Sequence, residues 1–117
     1  MASASNPPQT VKNERAAMST LWQISHAQQN YKENGGSSRY GSLEELVKAE
    51  MLSEESLKSE NYKFSITLTA DGFEVSAVPV EYGKTGKRSL FIDQSGIMRG
   101  GDHAGTAATA SDEPINY

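Results

Sequence analysis

The chain has 117 residues, a net charge of −4, 36% hydrophobic residues and no cysteine. A chain of this length forms one domain, and the lack of cysteine excludes disulfides, thiolate metal ligands and cysteine nucleophiles. There is no basic block of the kind that binds nucleic acid, and no apolar run near the roughly 18 residues of a membrane span.

Composition divides the chain into three parts. Residues 1–10 are rich in Ser, Asn and Pro and are expected to be a disordered start, residues 11–100 a globular domain, and residues 101–117 a flexible or docked tail. The start also lacks the basic and apolar regions of a secretory signal. If the protein is exported, its targeting segment is expected to have been removed or to lie on another chain.

The first predicted element is a long amphipathic helix. Thr10 is the predicted N-cap, and Asn34-Gly35-Gly36 the predicted end, because glycine adopts the left-handed conformation of a helix terminus without strain. Side chains recur at steps of three and four residues between them. This stripe comprises Ala17, Leu21, Ile24, Gln28 and Tyr31, and Met18, Trp22 and Ser25 widen it on one flank.

A second, short helix is predicted after a loop at residues 37–41. Ser42 and Glu45 have the spacing of a capping box, in which each side chain accepts from the other residue's backbone N–H. Leu43, Leu46 and Val47 are the apolar positions of this helix. The following stretch, 53–61, is polar, and Leu57 is its only strong apolar residue.

The remainder of the chain reads as short strands. Alternation of apolar and polar residues predicts strands at 62–69 and 73–77, joined by a tight turn at Ala70-Asp71-Gly72. A loop over 80–87, a third strand over 89–93, a turn at 93–96 and a fourth strand over 97–99 follow. In the tail, Ile115 is the residue expected to dock on the sheet. The predicted fold is therefore α+β, with an N-terminal amphipathic helix on a three- or four-stranded antiparallel sheet and a short second helix between them.

Few residues are candidates for catalysis or metal binding. His26 is expected to be solvated, and His103 lies in a glycine-rich tail that is a poor platform for catalysis. The Gly-Lys-Thr of residues 83–85 lacks the upstream glycine and following helix of a phosphate-binding loop. Asp102, Asp112 and Glu113 could supply oxygen ligands to calcium, although their spacing is not that of an EF-hand. An enzyme is not expected, because no catalytic constellation is present.

Trp22 has two interpretations. As the only tryptophan, on the flank of an amphipathic helix, it is either a core residue against the sheet or an anchor for a partner helix. The second interpretation predicts a partner-docking face made of Met18, Leu21, Trp22 and Ser25.

Over residues 13–100 the chain resembles the globular domain of type IV pilins and type II secretion pseudopilins. The resemblance rests on the order of four segments, none of which is decisive alone. They are the helix ending in Gln28-Gln29-Asn30-Tyr31, the motif Tyr40-Gly41-Ser42-Leu43-Glu44-Glu45-Leu46, the strand Phe73-Glu74-Val75-Ser76-Ala77-Val78-Pro79, and the strand–turn–strand ending over 88–99. The resemblance implies a pilin-like fold, assembly without catalysis and no cofactor.

The resemblance also implies a structural subunit of a filament in the periplasm or on the bacterial cell surface. Pilins begin with about 20 apolar residues that hold the subunit in the inner membrane and later form the filament core. That segment is expected either to precede these residues or to come from a separate short hydrophobic chain, as in two-chain pilins. Partners would then be other pilin subunits or that short chain. The alternative is a stand-alone periplasmic binding or chaperone-type module that pairs with a short pilin chain.

Overall fold

The computed structural model describes residues 9–34, 39–58, 60–70 and 72–115. These residues form three helices and four strands. In chain order they are α1 (Gln9–Asn34), α2 (Leu43–Lys48), α3 (Glu54–Leu57), β1 (Tyr62–Leu68), β2 (Phe73–Pro79), β3 (Arg88–Asp93) and β4 (Arg99–Asp102). The predicted α+β class is confirmed, with a long helix on a four-stranded antiparallel sheet and a short second helix between them.

The sheet is an antiparallel meander in the order β1-β2-β3-β4. Val75 of β2 lies opposite Ile66 of β1 and Ile92 of β3, so the apolar positions of neighbouring strands share one face of the sheet. That face carries α1.

The core lies between α1 and this face. Leu21 and Ile24 of α1 are fully buried, as are Val75 and Leu90 on the sheet. Burying such aliphatic side chains contributes about 1.5–3 kcal/mol each. The predicted helical stripe is therefore the face that packs on the strands, although its last member, Tyr31, is only half-buried.

A buried amide joins α1 to the loop before α2. The Gln28 side chain is fully buried; its Nε2 donates to the Gly41 carbonyl at 2.6 Å, and the Gly41 N–H donates to its Oε1 at 2.9 Å. The predicted capping box of Ser42 and Glu45 follows directly and is confirmed. Together these contacts set the distance between α1 and α2.

Two predicted boundaries were wrong. Thr10 lies inside α1 and is not its N-cap, because the helix already includes Gln9. The fourth strand begins at Arg99, so the predicted strand over 97–99 mostly precedes it. The polar stretch after Ser53, for which no element was predicted, contains a short helix, α3, which Ser53 caps by accepting from the Glu55 N–H. Gly35, Gly36 and Asp71, expected at the end of α1 and in the first hairpin turn, lie outside the described residues.

The other face of the sheet is partly covered by the end of the chain. Residues 103–112, which we call the C-terminal strap, cross β3 on the side opposite α1. There Ser89 and Phe91 are buried, the Ser89 hydroxyl donates to the Thr106 carbonyl at 2.5 Å, and Ala108 is the buried residue of the strap. Beyond the strap, Ile115 packs against the core from beside β4. This agrees with the docking expected of Ile115.

Candidate docking surface on the long helix

The four residues predicted to dock a partner do not form one surface. Met18 is 3% exposed and Leu21 is fully buried, because both point from α1 into the core. They cannot offer contact area to a partner while the domain is folded. Their part in the predicted docking face is corrected to core packing.

Trp22 is half-buried and lies in a shallow groove between α1 and residues 51–53. The groove has a volume of about 490 Å³, and its walls include His26, Met51 and Leu52. The edge of the Trp22 ring meets His26, with ring centroids 6.3 Å apart and an interplanar angle of 74°. Trp22 therefore packs partly on the core and partly lines an open surface.

Ser25 lies one turn after Trp22 on α1 but does not line the same groove. It lines a second shallow groove, together with Gln29 and the turn between β3 and β4 that includes Ser95. His26 is exposed on the helix ridge between the grooves, as predicted. A partner that fills both grooves would have to contact His26, which lines each of them.

The first two turns of α1 carry a polar cluster that sequence reasoning missed. The Glu14 carboxylate, 5% exposed as a residue, pairs through Oε1 with Arg88 Nε at 2.9 Å. Its Oε2 accepts the backbone N–H groups of Lys87 and Arg88 at 3.2 and 3.3 Å. Asn13 Nδ2 donates to the Thr85 carbonyl at 2.9 Å. We call Asn13 and Glu14 the polar clamp, since they fasten the start of α1 to the loop before β3.

The polar clamp could have been predicted from the positions of its two residues relative to the buried stripe of α1. Asn13 lies four positions before the buried Ala17, and Glu14 lies four positions before the buried Met18. Residues four apart share a helix face, so the buried stripe could have been extended to both. Both residues are polar, however, and burial of an uncompensated carboxylate is costly. The residues that compensate Glu14 lie more than 70 positions away in the sequence, so local spacing could not reveal them.

The three calcium candidates do not converge. Asp102 accepts the Tyr82 hydroxyl at 2.7 and 2.8 Å with its two oxygens. Asp112 Oδ2 lies 2.8 Å from His103 Nε2 and accepts the Thr109 N–H at 2.8 Å. Glu113 is exposed. Across the parts of the chain that the structure describes, no group of three or more His, Asp or Glu residues could hold a metal ion.

The hydrogen bonds to these two aspartates change the local pKa values. The Tyr82 hydroxyl lowers the pKa of Asp102, and the same bond raises the pKa of Tyr82. The Thr109 N–H, followed by His103, lowers the pKa of Asp112. Elsewhere, burial and the charge of Glu14 raise the pKa of Tyr62. These shifts come from contacts within the domain, in which Asp102 and Asp112 are already engaged.

The Gly-Lys-Thr fragment lies in a turn. The Lys84 N–H donates to the Glu81 carbonyl at 3.0 Å, and the Gly83 N–H donates to the Gly86 carbonyl at 2.8 Å. The next element is β3, whereas a phosphate-binding loop is followed by a helix.

Comparison with protein-family models, with curated proteins and with solved structures found no match. Among the described residues, no helix is both long enough and apolar enough to cross a membrane.

Proposed function

We propose that this chain is the globular, surface-facing subunit of a type IV pilus or type II secretion pseudopilus. In that role it assembles through a hydrophobic N-terminal helix, supplied by a preceding segment or by a separate short chain. Its place is the periplasm and the cell-surface filament, and its activity is assembly.

The observation that carries the proposal is the way in which α1 is held. A helix of 26 residues, about 39 Å long at 1.5 Å per residue, lies along one face of the sheet. The polar clamp fastens its first turns to the loop before β3. The polar clamp thus joins the N-terminal part of α1 to the sheet, so that this end and the rest of the domain move as one body, which a subunit attached through a preceding helix requires.

A second candidate function is a stand-alone binding module that pairs with a short pilin chain. The groove beside Trp22 favours it, because a half-buried tryptophan next to Met51 and Leu52 presents the aromatic and apolar character that is common in interfaces.

Co-expression with a hydrophobic pilin-type helix tests both functions. The filament proposal predicts polymers, with the helix either fused before residue 1 or supplied as a separate chain, whereas the binding-module candidate predicts only a soluble one-to-one complex with the separate helix. If the chain neither enters filaments nor binds the helix in either arrangement, both are wrong.

Trp22→Ala tests the docking surface in the same experiment. It should weaken capture of the separate helix, and in the unmodified chain, where Trp22 is the only tryptophan, binding should change the tryptophan fluorescence. Gln29→Ala, at an exposed position two turns further along α1 that does not line this groove, is the matched control and should bind normally. Melting curves of both variants separate lost binding from lost folding.

A further inference from the structure

The end of the chain extends the sheet beyond β4. The Gly100 N–H donates to the Glu113 carbonyl at 3.2 Å, and the Ile115 N–H donates to the Met98 carbonyl at 2.8 Å. Arg99 and Pro114 form an antiparallel bridge between these two bonds. Residues 113–115, which we call the terminal strand, are therefore bound by strand addition, in which the main chain supplies the hydrogen bonds and a side-chain pocket supplies selectivity.

The pocket for this strand is a notch left by a glycine. A Cβ atom on Gly100 would lie 2.9 Å from Ile115 Cδ1 and 2.3 Å from the Ser89 carbonyl oxygen. With no side chain at position 100, Ile115 reaches the core and packs against it. The notch and the two backbone bonds do not depend on how the terminal strand is connected to β4.

The connection itself is long and weakly packed. The C-terminal strap contains no helix or strand, and Ala108 is its buried residue. Ala104 and Gly105 adopt left-handed φ angles of 54° and 91°. Ten strap residues span up to about 35 Å when extended, so the terminal strand can reach a neighbouring molecule.

Polar contacts stabilise the strap internally, through His103 and Asp112, and attach it to the sheet through Ser89 and Arg99. His103 Nε2 lies 2.8 Å from Asp112 Oδ2, and Arg99 Nη1 donates to the Asp112 carbonyl at 2.9 Å. Water can replace such bonds at small net cost. Segments with few buried apolar contacts open locally while the rest of the domain stays folded.

We propose that the edge of β4 is an interaction surface for the terminal strand of a second copy of this chain. The exchanged strand makes the same two backbone bonds and fills the same Gly100 notch as the chain's own strand. Such exchange of identical elements is a low-cost route to dimers. The exchanged strand competes with the chain's own strand, whose tether gives it an effective concentration of about 1 mM. The fraction of exchanged molecules therefore rises as the concentration of neighbouring copies approaches that value. This inference goes beyond the proposed function and does not rest on it.

Cysteine trapping tests the exchange directly. Arg99 and Pro114 form a pair flanked by the two backbone bonds, and such pairs have Cα atoms about 4.5 Å apart, within the range that a disulfide bridges. The chain has no cysteine, so introduced thiols have no competitor. A tagged Arg99→Cys chain and an untagged Pro114→Cys chain are mixed at about millimolar concentration, oxidised gently, and analysed for the mixed dimer.

Ala107→Cys is the matched control for Pro114→Cys, because it is an exposed position in the strap and out of register with Arg99. We expect the mixed dimer with Pro114→Cys to form in several-fold excess over that with Ala107→Cys. Equal yields of the two mixed dimers would overturn the proposal, because they would show that the disulfides form by random collision of the chains and not by pairing of the terminal strand with β4.

Two further variants keep the test decisive. The double variant Arg99→Cys/Pro114→Cys should close a disulfide within one chain in dilute solution, and failure to close would show that the register is wrong. Ile115→Ala in the Pro114→Cys chain should reduce the mixed dimer, because the notch loses its occupant. A yield unaffected by Ile115→Ala would also overturn the proposal.

Discussion

Glu14 in the second turn of α1 forms an ion pair with Arg88, the first residue of β3. The Glu14 side chain is 6% exposed and that of Arg88 is 41% exposed, and 2.9 Å separates Glu14 Oε1 from Arg88 Nε. The Glu14 carboxylate is therefore almost fully shielded from solvent, whereas the Arg88 side chain is partly exposed. Two backbone N–H groups complete its coordination, which offsets much of the cost of burying the charge.

Glu14→Gln is expected to destabilise the domain by about 1–3 kcal/mol, because the backbone N–H groups of Lys87 and Arg88 lose a charged acceptor. Partial exposure of Arg88 keeps the loss below that of breaking a fully buried pair. Urea denaturation followed by tryptophan fluorescence measures it. Arg15→Gln, on the exposed side of the same turn, should change stability by less than about 0.5 kcal/mol, and a similar loss in both variants would contradict the role given to Glu14.

Gln28→Leu is expected to cost about 2–4 kcal/mol, although leucine keeps the size and apolar character suited to this site. The substitution leaves both the N–H and the carbonyl of Gly41 buried without their side-chain partner, and each such group costs about 1–3 kcal/mol. Thermal unfolding by circular dichroism checks the expectation. The matched variant Gln29→Leu, one residue further on the exposed surface, should leave the melting temperature nearly unchanged.

Local patterns in the sequence were sufficient for much of the fold. The helical spacing from Ala17 to Gln28 and the alternation over β1 and β2 match the structure, since both reflect burial of one face. The capping box at Ser42 was predictable because its two partners are three residues apart. Each of these signals is contained in a short stretch of chain.

The features that sequence reasoning missed depend on distant residues. Arg99-Gly100-Gly101-Asp102 has little intrinsic strand propensity, and it forms β4 because β3 and the terminal strand pair with it on either side. The polar clamp is stable only because the loop before β3 brings donors to Glu14. The docking prediction failed for Met18 and Leu21 because helical spacing identifies a stripe without showing how wide a face the sheet covers.

The strap should loosen in acid. The Thr109 N–H and His103 stabilise ionised Asp112 and hold its pKa below the ordinary value of about 3.9. The stabilisation is present above that ordinary pKa and is lost as the pH falls through the lower, folded value. We expect the Thr109 amide resonance to move to its unfolded position below pH ~4, before the core unfolds. Asp112→Asn should abolish this step, whereas Glu113→Gln, an exposed neighbour, should retain it.

Calcium is expected to leave the stability of the domain unchanged. A calcium site needs six to eight oxygen ligands around one point, whereas Asp102 is bonded to Tyr82 and Asp112 to His103 and Thr109. Moving these carboxylates to a common ion would break the contacts that hold the strap. The melting temperature in millimolar calcium should therefore equal that in a chelator, and Asp102→Asn should respond like the unmodified chain. A rise with calcium that Asp102→Asn removes would show that the tail rearranges to bind the ion.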